Sequence, residues 1–259
     1  MCSFFSCIVT KEGKVVWDVE KDSHDDLLIM AGIADKTADP DKMRFARVEI
    51  TPPNGDVFEK DIKKWTLKVD QTITPHWFTE HTEKLCFGAL KECLAEVIID
   101  GETLPLLEKR NGLWIRNSKI EVVKNCKIRV MRGSSQVGVM RESSQVGEMW
   151  GSSQVRVMRG SSQVRVMWES SQVGVMWGSS QVGVMRGSSQ VGVMRESSQV
   201  GEMRGSSTRK IITITGIEII HPEDLKVKLS KHKNVKLKEN KPHETMQVPE
   251  VQTSVDTED

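Results

Sequence analysis

The side chains best suited to bind a ligand form a regular column of arginine and tryptophan in the second half of the chain. Its members lie nine residues apart and are Arg132, Arg141, Trp150, Arg159, Trp168, Trp177, Arg186, Arg195 and Arg204. Closely spaced guanidinium groups bind phosphates, and indoles stack on nucleic-acid bases. Arginine also stacks on tryptophan without any ligand, so the same column is compatible with a solvated ladder that supports solubility.

A second candidate is Cys2, whose amine would become free beside its thiol if Met1 were removed. That arrangement activates the nucleophile of N-terminal-nucleophile amidohydrolases. The Met-Cys start resembles glutamine amidotransferases, but the Gly-Ile-x-Gly that follows their cysteine is replaced here by Ser-Phe-Phe. We therefore favour a structural cysteine in a first strand.

No other set of residues predicts a cofactor or a reaction. His76, His81 and Cys86 are spaced i, i+5, i+10, which does not place them on one helix face, and with Cys93 they form no Cys-x-x-Cys pair. The repeated serines have no histidine near them in the array, whereas a nucleophile needs a neighbouring base. We predict no catalytic residue, no metal and no enzyme. A serine ladder that binds ice is a further alternative, although the more usual threonine rows are absent.

The candidate column belongs to a nine-residue tandem repeat, Met-(Arg/Trp)-(Gly/Glu)-Ser-Ser-Gln-Val-(Gly/Arg)-(Val/Glu), which is near-perfect over 131–207. Residues 122–130 are a degenerate copy, and 117–120 resemble an earlier one that is a residue out of step. Nine residues make two and a half helical turns, so a helix would not keep methionine and valine on one stripe. Strands stacked about 4.8 Å apart would keep each of these residue types in one row. The repeat predicts a β-solenoid.

Variation within the repeat predicts which side chains face inward. The valine, methionine and second serine do not vary, whereas the position of Val139 is also Glu148 and that of Gly138 is also Arg156. Because burying an unpaired charge is costly, the variable positions are expected to face solvent. The core is therefore predicted to consist of methionine, valine and the second serine.

We favour two nonapeptide repeats per coil. Three repeats per coil would stack Glu142, Glu169 and Glu196 directly above one another, and like charges facing each other across strands are destabilising. With two repeats per coil the candidate column divides into two outward faces. One contains Arg132, Trp150, Trp168, Arg186 and Arg204, and the other contains Arg141, Arg159, Trp177 and Arg195.

The predicted fold is mainly β, with three regions. Residues 1–110 form a small α+β head, 111–220 the solenoid and 221–259 a basic and then acidic, flexible tail. Strands are predicted in the head at 4–10, 14–19, 45–50 and 65–69, with helices that start at Ser23 and at Thr74. The head is expected to cap an open end of the solenoid, where exposed strand edges invite aggregation.

Composition narrows the class of protein. A net charge of +1 creates no overall field that would attract nucleic acid or an anionic membrane. No stretch reaches the roughly 20 apolar residues of a membrane span, and the start lacks the features of a signal peptide. The five cysteines form no paired framework, which indicates reduced thiols. We expect a cytoplasmic protein that does not bind membranes.

The Ser-Ser-Gln-Val-x-x-Met repeats resemble bacterial and phage nonapeptide β-solenoids over residues 113–216. The resemblance implies architecture, and the Gly-Gly-x-Gly-x-Asp calcium loops of RTX proteins are missing. We expect a non-enzymatic scaffold that presents a repetitive surface to a protein partner or to itself. Nucleic-acid or polyanion binding through the arginine and tryptophan column is the alternative, and an amidohydrolase using Cys2 is a second. Near identity of blocks 133–151 and 187–205 indicates recent duplication, which favours the solvated ladder.

Overall fold

A computed structural model describes residues 4–34, 42–213 and 216–220. It contains two α-helices, α1 (His24–Ala31) and α2 (Glu80–Val97), among the described residues. The strands of the first part of the chain are β1 (Phe5–Thr10), β2 (Val15–Val16), β3 (Phe45–Thr51) and β4 (Thr66–Val69). The others are β5 (Ile98–Asp100), β6 (Thr103–Glu108), β7 (Leu113–Arg116), β8 (Lys119–Lys124), β9 (Lys127–Arg132), β10 (Gln136–Arg141), β11 (Gln145–Met149), β12 (Gln154–Met158), β13 (Gln163–Met167), β14 (Gln172–Met176), β15 (Gln181–Met185), β16 (Gln190–Met194), β17 (Gln199–Met203), β18 (Thr208–Thr213) and β19 (Gly216–Ile220).

The head is an antiparallel sheet covered by two helices. Its strand order is β2-β1-β3-β4, with β1 paired along its whole length with β3. Strand β2 ends at Val16, earlier than the predicted Val19, because the Asp18 carboxylate accepts hydrogen bonds from the backbone N–H groups of Glu20 and Lys21 and turns the chain. The α+β character that was predicted for the head is confirmed.

Helix α2 starts at Glu80, six residues after the predicted Thr74. The start is delayed because Pro75 lies in a turn closed by the N–H of Phe78, and because the Thr82 hydroxyl accepts the N–H of Thr79, the N-cap. The face predicted for this helix is buried, with Cys86, Ala89, Leu90, Cys93 and Val97 in the head core. That core also contains Phe5, Trp65 and the buried residues of β3.

The rest of the described chain is a parallel β-solenoid with two strands per coil, followed by β19, which pairs antiparallel with β18. Alternate strands join an eight-stranded sheet, β19-β18-β16-β14-β12-β10-β8-β6, and a seven-stranded sheet, β17-β15-β13-β11-β9-β7-β5. Gln136 pairs with Gln154 and Gln145 with Gln163, so each regular coil advances by two nonapeptides, as predicted. Glu142, Glu169 and Glu196 are consequently not stacked as a single column.

The first coils are shorter and begin earlier than the repeats. Ile99 pairs with Ile115, a step two residues short of two nonapeptides, and Lys119 pairs with Gln136, a step one residue short. The second step confirms that Asn117–Ile120 is a copy one residue out of register. Residues 98–110, which were predicted to belong to the head, supply the first two strands of the solenoid.

The solenoid core contains the residues predicted from the repeat. Each methionine from Met131 to Met185, and each valine that follows a glutamine from Val137 to Val182, is at most 1% exposed, and the second serine of eight repeats is fully buried. Apolar burial of this kind contributes about 25 cal/mol per Å² and is the main stabilising term of a stack whose units cannot fold alone.

The head contacts the outward side of the seven-stranded sheet near its start. Trp114 of β7 packs into the head core, with its ring 6.0 Å from Phe4. Arg129 donates a hydrogen bond to the Val19 carbonyl, and Lys127 forms an ion pair with Glu20. These contacts fix the head beside the first coils. Whether it also caps their open end stays a prediction.

Candidate functional site

The ladder side chains are positioned by a tightly bonded corner between successive strands. The second serine of the repeat turns its hydroxyl back along the chain, so that Ser144 Oγ donates to the Arg141 carbonyl at 2.7 Å and lies 3.2 Å from the Val123 carbonyl of the preceding coil. Ser135 makes the equivalent bond to the Arg132 carbonyl at 2.6 Å. Because serine is small and fully buried there, the arginine whose carbonyl it binds is held at a fixed outward position on the corner.

The first ladder consists of Arg132, Trp150, Trp168, Arg186 and Arg204. Trp150 and Trp168 stack with ring centroids 4.7 Å apart and planes inclined by 11°. The Arg186 guanidinium lies 4.4 Å from the centroid of Trp168. Trp168 is therefore covered by Trp150 on one face and by Arg186 on the other.

The second ladder consists of Arg141, Arg159, Trp177 and Arg195. Arg195 lies 4.5 Å from the centroid of Trp177, which repeats the stacking of the first ladder. Arg141 and Arg159, one coil apart, are both exposed, and within the described part of the chain neither guanidinium stacks on an indole. This ladder therefore has a stacked part near Trp177 and an unstacked, cationic part before it.

The structure brings the nine predicted residues onto two corners, but it does not make them equivalent. Arg204 pairs with Glu202, with 2.6 Å between Nε and Oε1, and the indole N–H of Trp150 donates to Glu148 at 2.8 Å. Over residues 131–207 eight arginines face five glutamates, a net charge of +3. The repeat region as a whole thus has a mildly cationic surface with internal ion pairs.

Glutamates at the corners have a structural role that the sequence analysis did not predict, because it used them only to choose the number of repeats per coil. Glu142, Glu169 and Glu196 occupy a left-handed backbone position, with φ between 54 and 59°, where most repeats have glycine. The carboxylate of Glu169 accepts the N–H of Gly151 at 2.8 Å, and that of Glu196 accepts the N–H of Gly178 at 2.7 Å. Each of these two glutamates therefore joins its coil to the preceding one. The alternation of glycine with glutamate alone at this repeat position is the sequence signal that could have indicated a left-handed backbone.

The flat faces of the solenoid present glutamine rows beside shallow grooves. On the eight-stranded sheet a groove of about 400 Å³ is lined by Gln136, Gln154, Gln172 and Arg156. On the other sheet a groove of about 650 Å³ is lined by Gln145, Gln163, Gln181, Arg165 and Trp114.

Glycine in the position after valine keeps these grooves open. A Cβ on Gly174 would lie 2.5 Å from the Arg156 carbonyl oxygen, so a side chain there requires a shift of the backbone. Arg156 and Arg165 occupy the same position in other coils, so the repeat accommodates that shift and glycine is not required there.

The cysteine and histidine candidates do not assemble into a site within the described residues. Cys86 and Cys93 are buried in the head core, His81 is exposed on α2, and none of them belongs to a group with metal-binding geometry there. Burial raises the pKa of Cys93 to about 12, which keeps its thiol protonated. A hydrogen bond with Cys86, together with burial, raises the pKa of Cys7 well above its ordinary value. Cys2 lies outside the described residues.

Comparison with known proteins gives no relatives: no family model, no curated protein and no solved structure matches this chain. Neither helix of the described residues has the length and apolar character that crossing a membrane would require.

Proposed function

We propose that this protein is a non-enzymatic scaffold whose solenoid presents two side-chain ladders to a protein partner or to another copy of the chain. The observation that supports it most is the stacking of Trp150, Trp168 and Arg186. Both faces of Trp168 are covered by its own ladder, which produces a preorganised aromatic and cationic edge. Tryptophan and arginine are the side chains most enriched among residues that dominate protein interfaces.

The repetition of the surface supports a repetitive or extended partner. The two ladders and the two glutamine rows recur with each coil, so a partner with a matching period would make the same contact several times. A bacterial or phage setting is part of this proposal and rests on the repeat alone. A cytoplasmic location is supported by the free cysteines at positions 7, 86, 93 and 126.

The test uses the full chain and a variant with Trp150→Arg, Trp168→Arg and Trp177→Arg. Arginine occupies the same corner in other repeats, so the variant is expected to fold. Analytical ultracentrifugation measures self-association, and affinity capture followed by identification measures a partner. We expect association or capture to fall at least about tenfold in the variant. A matched control, Glu92→Gln on the exposed side of α2, should leave it unchanged. Equal association by all three proteins would refute the ladders as the site.

Polyanion binding is the second candidate, and the pair Arg141 and Arg159 favours it. Both side chains are exposed, and they project one coil apart on the second ladder. Such a row would contact phosphates, and its affinity would fall steeply between 50 and 200 mM salt. Fluorescence anisotropy with a labelled oligonucleotide tests this. Binding that does not change with salt or with Arg141→Ser and Arg159→Ser would exclude it.

The amidohydrolase hypothesis remains a prediction about Cys2. Full hydrolytic activity in a Cys2→Ala protein would exclude it, since the thiol would be the nucleophile.

A further inference from the structure

Three potential metal ligands converge at one side of the head sheet, away from the solenoid ladders. His24 is the first residue of α1, Glu49 lies in β3, and Asp70 directly follows β4. The nearest nitrogen or oxygen atoms of the three side chains all lie within 4.8 Å of one another. The three residues come from separate elements that the antiparallel pairing of β3 with β4 and the packing of α1 bring together.

The orientation of the histidine is fixed by its surroundings. His24 is 8% exposed, and its Nε2 lies 3.2 Å from the Val48 carbonyl oxygen. A carbonyl oxygen only accepts hydrogen bonds, so Nε2 must carry the hydrogen. In the neutral ring Nδ1 then has a lone pair, and it faces Asp70 Oδ2 at 3.4 Å. Metal-binding histidines commonly donate their other ring N–H to a backbone carbonyl in this way.

The site therefore places a nitrogen lone pair opposite the Asp70 carboxylate, with the Glu49 carboxylate in the same group, and a cation among the three side chains would stabilise this arrangement. A proton on Nδ1 would do so and produce an ion pair with Asp70. A divalent metal ion would do so with all three side chains. The ammonium of Lys68 lies 3.8 Å from the other Asp70 oxygen, but its side chain is 72% exposed and competes weakly for the carboxylate.

We propose that His24, Glu49 and Asp70 bind a divalent transition-metal ion of the zinc type. One imidazole nitrogen and two carboxylates suit such an ion better than magnesium or calcium, which prefer oxygen ligands alone. Three protein ligands leave a fourth position for water or for a ligand from outside. The ion would join α1 to the sheet through Glu49 of β3 and Asp70 at the end of β4, and would stabilise the head.

The test is isothermal titration of the full chain with Zn²⁺ in the presence of excess Mg²⁺, beside the isosteric variants Glu49→Gln and Asp70→Asn. We expect one ion per chain, a dissociation constant at least about tenfold higher in each variant, and, at the same zinc concentration, a smaller rise of the melting temperature in each variant than in the unchanged protein. Circular dichroism without metal shows whether the variants are folded.

Two controls separate this site from surface histidines. His81→Ala removes an exposed histidine of α2, and a triple substitution of His221, His232 and His243 removes those near the end of the chain. Neither should change zinc affinity. No saturable binding, or binding that the controls lose while Glu49→Gln and Asp70→Asn keep it, would overturn the proposal.

Discussion

The head and the solenoid bury their apolar side chains in opposite ways. In the head each core position holds a different residue, such as Phe5, Trp65 and Leu90, and fits one unique neighbourhood. In the regular coils of the solenoid the same methionine, valine and serine meet copies of themselves. A side-chain arrangement in the head therefore occurs once, whereas an arrangement in the solenoid recurs in each regular coil.

The largest test of this contrast is Met158→Ala in the middle of the stack. Met158 is fully buried and pairs in register with Met140 and Met176. We expect a loss of about 2–5 kcal/mol in the free energy of unfolding, measured by urea denaturation, because the cavity breaks the stack between two halves. Met203→Ala, at a half-buried position of β17, should cost clearly less. Equal losses would show that position along the stack does not matter.

The corner position separates backbone strain from hydrogen bonding. Glu169→Ala keeps a non-glycine residue at φ 54° and removes the carboxylate that binds the Gly151 N–H, so we expect a loss of about 1 kcal/mol. Glu169→Gly also loses that bond but relieves about 1 kcal/mol of left-handed strain. Thermal unfolding should therefore rank the glycine variant near the unchanged protein and above the alanine variant. The reverse ranking would contradict the role given to the left-handed backbone.

The stability that the contact between head and solenoid contributes should depend on pH. Arg116 donates two hydrogen bonds to Asp100 and lies 4.4 Å from the ring of Phe58 in the head. The hydrogen bonding to Arg116 lowers the pKa of Asp100. The pair therefore stabilises the fold above the ordinary carboxyl pKa of 3.8, and this contribution is lost as the pH falls through the lower folded-state value.

Asp100→Asn tests that junction. It should lower the free energy of unfolding at pH 7 by about 1 kcal/mol or less, since the pair is partly exposed, and the difference should vanish near pH 2. Urea titrations at both pH values measure it. Glu92→Gln, an exposed carboxylate on α2, should show no such difference at either pH. If Asp100→Asn were equally destabilised relative to the unchanged protein at pH 2 and pH 7, the pair would act through packing and not through its charge.

The smallest expected effect concerns the ladders. Trp168→Arg removes the stack with Trp150 and places two arginines in adjacent coils, so we expect a loss of about 0.5–1 kcal/mol. Arg159→Trp would put an indole beside Trp177 and should gain a few tenths of a kcal/mol. Melting temperatures compare the two. Opposite signs would show that the corner prefers arginine, and that the stacks are incidental to stability.

The solenoid was predictable because the repeat offers several substitutions at one structural position. Glu148 and Arg156 show which positions tolerate charge, and the spacing of the corner glutamates disfavours three repeats per coil. Strand register, the inward residues and the membership of both ladders followed from this. The start of the solenoid at Ile98 did not, because the first coils are shorter than two nonapeptides and lack their pattern.

Contacts between distant residues were not predictable in the same way. The stacking of Trp150 on Trp168 depends on side-chain rotamers, and the approach of His24 to Asp70 depends on tertiary packing. Neither leaves a periodic signal in the sequence. The delayed start of α2 depends on the Thr82 hydroxyl, a local competition that apolar periodicity does not report.

Because each coil contains two strands, adding an odd number of repeats has a different structural effect from adding an even number. Inserting or deleting one nonapeptide transfers every later strand, including the β18–β19 hairpin, to the opposite sheet. Inserting two leaves the hairpin on its own side and lengthens the stack by about 4.8 Å. Gain or loss of single repeats by DNA slippage would therefore alternate the direction in which the end of the solenoid faces, while changes in pairs would adjust its length alone.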